Sequence, residues 1–407
     1  MAFLDGCRVL DLTDERGLLA GRMLADLGAD VVAVEPSGGS SARRCSPRRG
    51  NTSYLWETFA ANKRGITADL DTPVGQSKVR ELATVADVLI ESAGVGVLAG
   101  YGLDYEDLRA VNDRLIYVSI TAFGRSGPKA RCAASDLTVW AAAGPLAPHR
   151  DEGEPPVRIS VPQSYLHAAA DAASGVLLAL LARNRTGRGQ LVEVAAQTSV
   201  SIATLASVLS HAVGDVPRDL ETGAVRRVDQ SGSGSATASS LKKWQCADGL
   251  VEFHLGMGPA AGGFTAPFFK WMADEGAPVE RFVGIDWRAV PSMLQNGEMT
   301  DDDIAEARAA IAGFLATKTQ AEVLHAARDR KLLCVPIYDT SDVQRSEQLC
   351  ARNYFVTMGE DERRTTMPGP FAAVSIDALT ITRPAPLVGE HTDTVSADWL
   401  ARPEGNR

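Results

Sequence analysis

Short apolar runs alternate with segments of helical apolar spacing in the N-terminal part of the chain. Residues 7–12 (CRVLDL) and 29–34 (ADVVAV) have the continuous apolar character of buried parallel strands, and Leu18–Leu27 between them has apolar residues at helical spacing. The same alternation continues with helices predicted at 75–85 and 105–111 and strands at 88–90 and 115–120. Strands that alternate with helices predict a parallel sheet covered by helices on both faces.

The rest of the chain contains three regions of different character. An Ala- and Leu-rich segment predicts a core or dimer-contact helix over about 167–184. Residues 213–240 are rich in Gly and Ser and predict a flexible linker, and the tract Ser231–Ser240 within it would serve equally well as a lid over a site. Further elements are predicted beyond it, a strand pair at Trp244–Leu255 and helices near 264–275 and 301–329.

The composition is that of an ordinary globular protein, with 45% hydrophobic and 23% charged residues. A formal net charge of −10 argues against general affinity for nucleic acid. The six Cys and six His residues are scattered without metal-ligand spacing, so no metal site is predicted.

No basic region followed by an apolar one begins the chain, and no apolar run of about 18 residues is evident, so we expect a cytoplasmic protein that does not enter a membrane. The stretch TDERG after the first strand is not a G-x-G-x-x-G fingerprint, which argues against a dinucleotide dehydrogenase.

Five segments stand in a distinctive order and spacing. They are VLDLT at 9–13, LADLGADVVAVEPSGG at 24–39, NKRGI at 62–66, LIYVSITAFGRSGP at 115–128, and the long stretch at 155–195 that includes VPQSYLHAAADAA and the turn TGRGQ. Together they resemble the class III CoA-transferases, the CaiB/BaiF family.

The resemblance implies an α/β fold with a Rossmann-like parallel-sheet large domain, a smaller α+β domain and an intertwined dimer. The implied domains are the first part of the large CoA-binding domain at 1–212, the Gly-Ser linker at 213–240, the small domain at 241–330, and a return to the large domain with a C-terminal tail at 331–407. Coenzyme A or an acyl-CoA would be bound as a substrate together with an organic acid, and no cofactor would be bound permanently.

Three motifs are predicted to bind CoA, and their residues are Arg43, Asn62, Lys63, Arg64, Gly124 and Lys129. The first follows a Gly- and Ser-rich turn at the end of a strand, where backbone N–H groups and a guanidinium suit a phosphate. The second resembles a family motif that lies along CoA, and the third belongs to a G-x-x-G-P loop that approaches it. Each motif also has a purely structural interpretation, as a solvated basic loop, a surface turn and a glycine turn respectively.

Two other family motifs are altered. The family often reads E-N-x-R-P-G after the strand at 88–90, whereas this chain reads ESAGVG at 91–96, so Gly94 stands where an arginine would contact CoA or the substrate. The racemase branch of the family uses a histidine and an aspartate for two-base proton transfer, and Ser135 stands where that histidine would be. A racemase or isomerase is therefore less well supported than a transferase.

The position of the family nucleophile is also altered. Family members place an aspartate about 22 or 23 residues before the glycine that matches Gly187, and that window holds Ser164 and Tyr165. CoA transfer needs an enzyme carboxylate that forms an anhydride and then a thioester, which a phenol does not replace. Asp171 is the nearest acid and our predicted catalytic residue, with His167 as an acid or base. Alternatively, Asp171 is a polar residue at the edge of the helix and His167 is structural.

The predicted function is transfer of CoA between an acyl-CoA thioester and an organic carboxylic acid. The altered motifs also fit a non-catalytic subunit of a heteromeric CoA-transferase, so both a homodimer and a heteromer with a homologous subunit are consistent with the sequence. An acyl-CoA isomerase or lyase would need an acid and a base that the sequence does not show.

Overall fold

The computed structural model describes residues 2–147, 155–205, 242–361, 364–375 and 379–401. The chain forms two compact units. The first contains the described residues of Met1–His149, Pro156–Pro217 and Cys350–Arg407, and the second those of Arg150–Pro155 and Arg218–Leu349. The predicted linker at 213–240, with its tract Ser231–Ser240, lies outside the described residues.

The first unit is built on a parallel sheet. Its strands are Arg8–Leu12 (β1), Asp30–Glu35 (β2), Arg64–Thr67 (β5), Val88–Glu91 (β6), Ile116–Thr121 (β7) and Leu191–Ala195 (β8), and the short pair Arg48–Arg49 (β3) and Thr52–Ser53 (β4) lies apart from them. The order in the sheet is β5-β2-β1-β6-β7-β8, and every neighbouring pair is parallel. The predicted α/β class with a Rossmann-like sheet is confirmed.

Both faces of this sheet are buried. Successive side chains point to opposite faces, so that Val9 and Val118 belong to one core cluster and their neighbours Leu10 and Tyr117 belong to the other. A strand buried on both sides needs apolar residues at consecutive positions, which is why these strands read as continuous apolar runs.

Helices cover the two faces. The helices of this unit that precede residue 205 are Leu18–Asp26 (α1), Tyr54–Phe59 (α2), Pro73–Ala83 (α3), Tyr105–Arg109 (α4), Asp136–Ala143 (α5), Ser164–Thr186 (α6) and Ala196–Ser201 (α7). Residues of α1, α5, α6 and α7 pack on one face, and residues of α3 and of the C-terminal helix Thr392–Leu400 pack on the other.

Helix α6 is the long Ala- and Leu-rich helix expected from the sequence. By length and composition it could cross a membrane. Its residues Ala168 and Val176 are fully buried in the core cluster of the sheet, and core helices meet the same criterion. On the opposite face Leu178 is 68% exposed and Leu181 is 54% exposed.

The second unit is an antiparallel sheet with helices. Its strands are Lys243–Gln245 (β9), Leu250–Phe253 (β10) and Cys334–Ile337 (β11), in the order β11-β10-β9. Its helices are Gly258–Ala261, Thr265–Asp274, Val290–Asn296, Asp301–Leu315, Gln320–Arg330 and Thr340–Arg345. The segment predicted as one helix over 301–329 is two helices, because Thr319 caps a new helix with its side chain.

The boundary at the end of the second unit differs from the predicted residue 330. Strand β11 pairs with β10, so the second unit continues through Leu349. An apolar run such as CVPI predicts a strand but does not show which sheet it joins. The last part of the chain contains the helix Glu347–Ala351 and the hairpin of Phe355–Met358 (β12) with Thr365–Pro368 (β13).

Candidate active site

A crevice is expected where the strand order of the first unit changes direction. Strand β2 lies on one side of β1 and β6 on the other, and ligands of open parallel sheets bind at the carboxyl ends of strands beside such a point. The loops there are Thr13–Gly17 after β1 and Ser92–Val97 after β6. The hydroxyl of Ser92 donates to Oδ1 of Asp14 at 2.9 Å and so joins the two loops.

Arg16 extends from the first of these loops and pairs with Asp14. Its Nε lies 2.9 and 3.0 Å from the two carboxylate oxygens, and its Nη2 contacts the same carboxylate. This hydrogen bonding raises the pKa of Arg16, although burial opposes it. The Arg16 side chain is 37% exposed, so a permanent positive charge lies at the edge of the crevice.

Tyr165 lies in the first turn of α6, half-buried against the core. Burial raises the pKa of its phenol, and the nearby Arg16 opposes that shift only in part. The phenol is therefore protonated at neutral pH. It can donate a hydrogen bond, but it is not a nucleophile of the kind that a carboxylate provides.

A carboxylate from another helix holds the start of α6. The first residue of α5, Asp136, accepts hydrogen bonds at Oδ1 from the backbone N–H of Gln163, the backbone N–H of Ser164 and the hydroxyl of Ser164, each at 2.8 Å. Its Oδ2 is buried and has no hydrogen-bond partner among the described residues. Asp136 was not predicted as a site residue from the sequence, although the capping box of Ser135 and Thr138 marks a helix start beside it.

The predicted catalytic pair lies elsewhere on α6. His167 and Asp171 are one turn apart on an exposed face of the helix. Asp171 is six residues beyond Tyr165, which corresponds to about 9 Å along the axis and roughly 240° around it. Within this chain Asp171 therefore does not reach the first turn of α6, and its catalytic role, like that of His167, stays a prediction.

Arg43 is held by contacts inside the protein. Its Nε and Nη2 donate to the two oxygens of Glu35 at 2.6 and 2.7 Å, and Nη2 also donates to the carbonyl of Pro386 at 2.9 Å. The guanidinium lies 3.9 Å from the ring centre of Trp56. A ligand phosphate would have to share this guanidinium with Glu35.

Lys63 is fully buried. Its Nζ lies 2.7 Å from Oδ2 of Asp11 and 2.7 Å from the carbonyl oxygen of Leu18. Burial lowers the pKa of Lys63, and the pairing with Asp11 opposes that shift. As placed, this ammonium ties β1, α1 and the start of β5 together and is not exposed to a ligand.

The residues on either side of Lys63 also make contacts within the chain. Asn62 donates to Oδ1 of Asp26 at 2.7 Å and to the carbonyl of Thr380 at 2.8 Å, which fastens the C-terminal segment. Arg64 pairs with Asp30 and Asp398. Arg64 begins β5 and Asp30 begins β2, so this pair lies at the amino edge of the sheet, opposite the crevice.

The loop after β7 is fixed at its start. Gly124 donates its backbone N–H to Oγ1 of Thr121 at 2.9 Å. Its φ is +94°, a backbone conformation that favours glycine, and a Cβ at this position would lie 2.9 Å from Oε1 at the tip of the Glu193 side chain. Lys129 is exposed further along the loop, with its ammonium 5.7 Å from the ring centre of Phe123.

No group of three His, Cys, Asp or Glu side chains suited to a metal ion occurs in the described parts of the chain.

Comparison with known proteins identifies the class. The profile of CoA-transferase family III matches residues 4–392. The chain therefore belongs to this family, as the sequence motifs indicated, and CoA transfer between acyl-CoA thioesters and carboxylic acids is its class of function.

Individual relatives match over nearly the full length. The chain is 34% identical over 400 residues to subunit BbsE of succinyl-CoA:(R)-benzylsuccinate CoA-transferase from Thauera aromatica, which covers 95% of this chain and 91% of that protein. It is 28% identical over 417 residues to succinate–glutarate CoA-transferase from Agrobacterium fabrum, covering 97% and 95%. The crystal structure of a CAIB/BAIF family protein from Brucella suis is similar with a TM-score of 0.77 and 26% identity, covering 97% and 99%.

Proposed function

We propose that this chain is one subunit of a heteromeric CoA-transferase that moves CoA between a thioester of the succinyl type and a second organic acid. The observation that carries the proposal is Tyr165, a protonated phenol in the first turn of α6 where the family resemblance places the nucleophilic aspartate. The relative BbsE is by name a subunit of a succinyl-CoA-dependent transferase, which supports both parts of the proposal.

The family reaction explains why the presence of Tyr165 in place of an aspartate matters. In the family reaction a carboxylate attacks the thioester carbonyl and expels the CoA thiolate, which leaves a mixed anhydride. The thiolate then attacks the enzyme carbonyl of that anhydride, releases the donor acid and leaves CoA on the enzyme as a thioester. The same steps in reverse load the acceptor acid. Tyrosine has no carbonyl carbon, so an acylated Tyr165 could return its acyl group but could not carry CoA.

Racemisation is less well supported than CoA transfer. Ser135 stands where the racemase branch has a histidine, and in the structure it is the N-cap of α5, with its hydroxyl accepting from the backbone N–H of Thr138. A hydroxyl used in this way is not a base for removing a proton next to a thioester carbonyl.

Asp136 supports a second candidate, a transferase that is complete in this chain. Its buried Oδ2 has no partner among the described residues, and its other oxygen is bonded to Ser164, the neighbour of Tyr165. Against this, Oδ2 has almost no accessible surface, and attack on a thioester would require α6 to move.

Covalent labelling separates the two candidates. The purified chain is incubated with succinyl-CoA and a panel of acceptor acids and then analysed by peptide mass spectrometry for hydroxylamine-sensitive adducts. We expect no adduct and no transfer by the chain alone, and transfer once a homologous chain with an aspartate at the position matching Tyr165 is added. An adduct on Asp136 or Asp171 in the chain alone would contradict the subunit proposal and identify the nucleophile.

The exposed apolar face of α6 supports association with a second chain, as the predicted intertwined dimer requires. We expect Leu178→Asp to weaken association at least about tenfold, because a buried charge would replace an apolar contact. Sedimentation velocity over a concentration series measures this. The matched control is Leu324→Asp, another exposed leucine, in the second unit. Equal association of the L178D and wild-type chains would exclude this face.

A further inference from the structure

The loop after β6 offers backbone donors but no cationic side chain. Gly94 and Gly96 have φ angles of +98° and +85°. In the parts of the chain that the structure describes, the backbone N–H groups of residues 94–96 have no acceptor. A Cβ on Gly94 would meet no described atom within 4 Å, so the backbone there is open to a ligand.

Arg131 reaches over this open loop from the next loop of the crevice. Its Nη2 and Nη1 lie 3.7 and 4.0 Å from the position that a Cβ on Gly96 would occupy, and no other described atom lies within 4 Å of that position. Arg131 is exposed, and no described carboxylate forms an ion pair with it. Its guanidinium therefore keeps its full hydrogen-bonding capacity for a ligand.

Other cationic side chains of the first unit already form ion pairs with carboxylates of the chain. The paired cations are Arg43 with Glu35, Lys63 with Asp11, Arg64 with Asp30 and Asp398, and Arg125 with Asp104. To bind a phosphate, each of these would have to share or release a carboxylate, which costs the free energy of an existing charged hydrogen bond. Arg131 bears no such cost.

The loop that carries Arg131 is anchored before it leaves the sheet. The Nη2 of Arg125 lies 2.8 and 2.9 Å from the two oxygens of Asp104. The backbone N–H of Arg125 donates to Oε1 of Glu193 at 2.6 Å, and its Nη1 is 3.9 Å from the buried Glu91. Arg125 thus holds the loop in place, while Arg131, further along the same loop, stays available to a ligand.

We infer that Arg131, together with the open backbone N–H groups of residues 94–96, binds a phosphate group of CoA. The planar guanidinium matches the spacing of phosphate oxygens, and successive backbone N–H groups in a glycine turn form a concave anion site. Lys129 adds a second positive charge two residues earlier in the loop. The inference rests on the proposed function, because a CoA-transferase must hold the 3′-phosphate and the diphosphate of CoA. In this chain the cationic side chain that binds the phosphate is Arg131, and Gly94 occupies the position of the family arginine.

Calorimetric titration of the purified full-length chain with CoA tests this assignment. We expect Arg131→Gln to weaken CoA binding roughly 10- to 100-fold, because a charged hydrogen-bonding partner is lost. Arg131→Lys should recover part of the affinity, since it keeps the charge without the planar fork. The matched control is Arg188→Gln, which removes an exposed arginine next to the amino end of β8, at the opposite edge of the sheet. Its affinity should stay within about twofold of wild type.

Dephospho-CoA shows which phosphate is bound. A loss of affinity by R131Q for CoA but not for dephospho-CoA assigns Arg131 to the 3′-phosphate, and equal losses for both ligands assign it to the diphosphate. Either result supports the inference. An R131Q chain that binds CoA as tightly as R188Q, with an unchanged melting temperature, overturns the inference and leaves the transferase proposal standing. A wild-type chain that does not bind CoA at all overturns both.

Discussion

Tyr165→Asp is expected to give this chain a covalent step that the wild-type chain lacks. The substitution places a carboxylate in the first turn of α6, close to the positive charge of Arg16 and to the N-terminus of a 23-residue helix, both of which favour its ionised form. With succinyl-CoA, Y165D should form a hydroxylamine-sensitive adduct on residue 165. We expect transfer to an acceptor acid to reach about tenfold or more above the background rate measured with the wild-type chain, equivalent to a barrier about 1.4 kcal/mol lower than that of the background reaction.

The control for this result is Tyr165→Asn, which has the size of the aspartate variant without its charge. Y165N should form no adduct, and Tyr165→Phe should also behave like wild type, since the phenol has no covalent role. The adduct is read by peptide mass spectrometry and the transfer by chromatography of the acyl-CoA products. An inactive Y165D chain that folds normally and binds CoA would show that the crevice of this subunit does not bring a thioester to α6.

Lys63→Met is expected to destabilise the first unit strongly. Lys63 and Asp11 are both fully buried, and Nζ lies 2.7 Å from Oδ2. Methionine leaves the Asp11 carboxylate in the core without its cation, and removing one member of a buried pair costs about 3–5 kcal/mol. The free energy of unfolding is measured by chemical denaturation. Hydrogen exchange of peptides from β1 and β5 then reports the first unit separately from the second.

The double variant D11N/K63M identifies the cause of the loss. It removes both charges and keeps an amide oxygen that can still accept from the backbone N–H and the hydroxyl of Thr13, as Oδ1 of Asp11 does. The double variant should recover a large part of the stability lost in K63M. Equal losses in the single and double variants would mean that packing, and not the unpaired charge, accounts for the effect. Asp11→Asn alone should cost less than K63M, because burial lowers the pKa of Lys63 and this substitution removes the carboxylate that opposes that shift.

Much of the fold could be predicted from local patterns. The buried strands β1, β2, β6 and β7 and the long helix α6 follow from apolar runs and helical spacing, which are visible within a few residues. The partner of a strand is not a local property. The apolar run of β11 therefore predicted a strand correctly, but only its hydrogen bonds to β10 show that it belongs to the second unit.

The candidate site was predicted less completely. The spacing to Gly187 located Tyr165, because a helix of known length separates the two. Asp136 was missed, since its contact with Ser164 joins residues 28 positions apart. Arg16 and Arg131 were also missed because nothing in their neighbouring sequence shows what their guanidinium groups face.

The sequence was sufficient to determine the family and to predict the alternation of strands and helices in the first unit, since motifs and periodicity are encoded locally. Its spacing to Gly187 also predicts that Tyr165 stands in place of the family carboxylate. Only the tertiary structure decided which charges are free to act. Lys63 looked like a ligand residue until Asp11, 52 positions away, was found beside it in the core. Arg131 stood in no recognised motif, yet it lies over the open glycine loop without an ion-pair partner among the described residues. A charged group is available to a substrate only when no partner from elsewhere in the chain neutralises it, and such partners meet only in the folded protein.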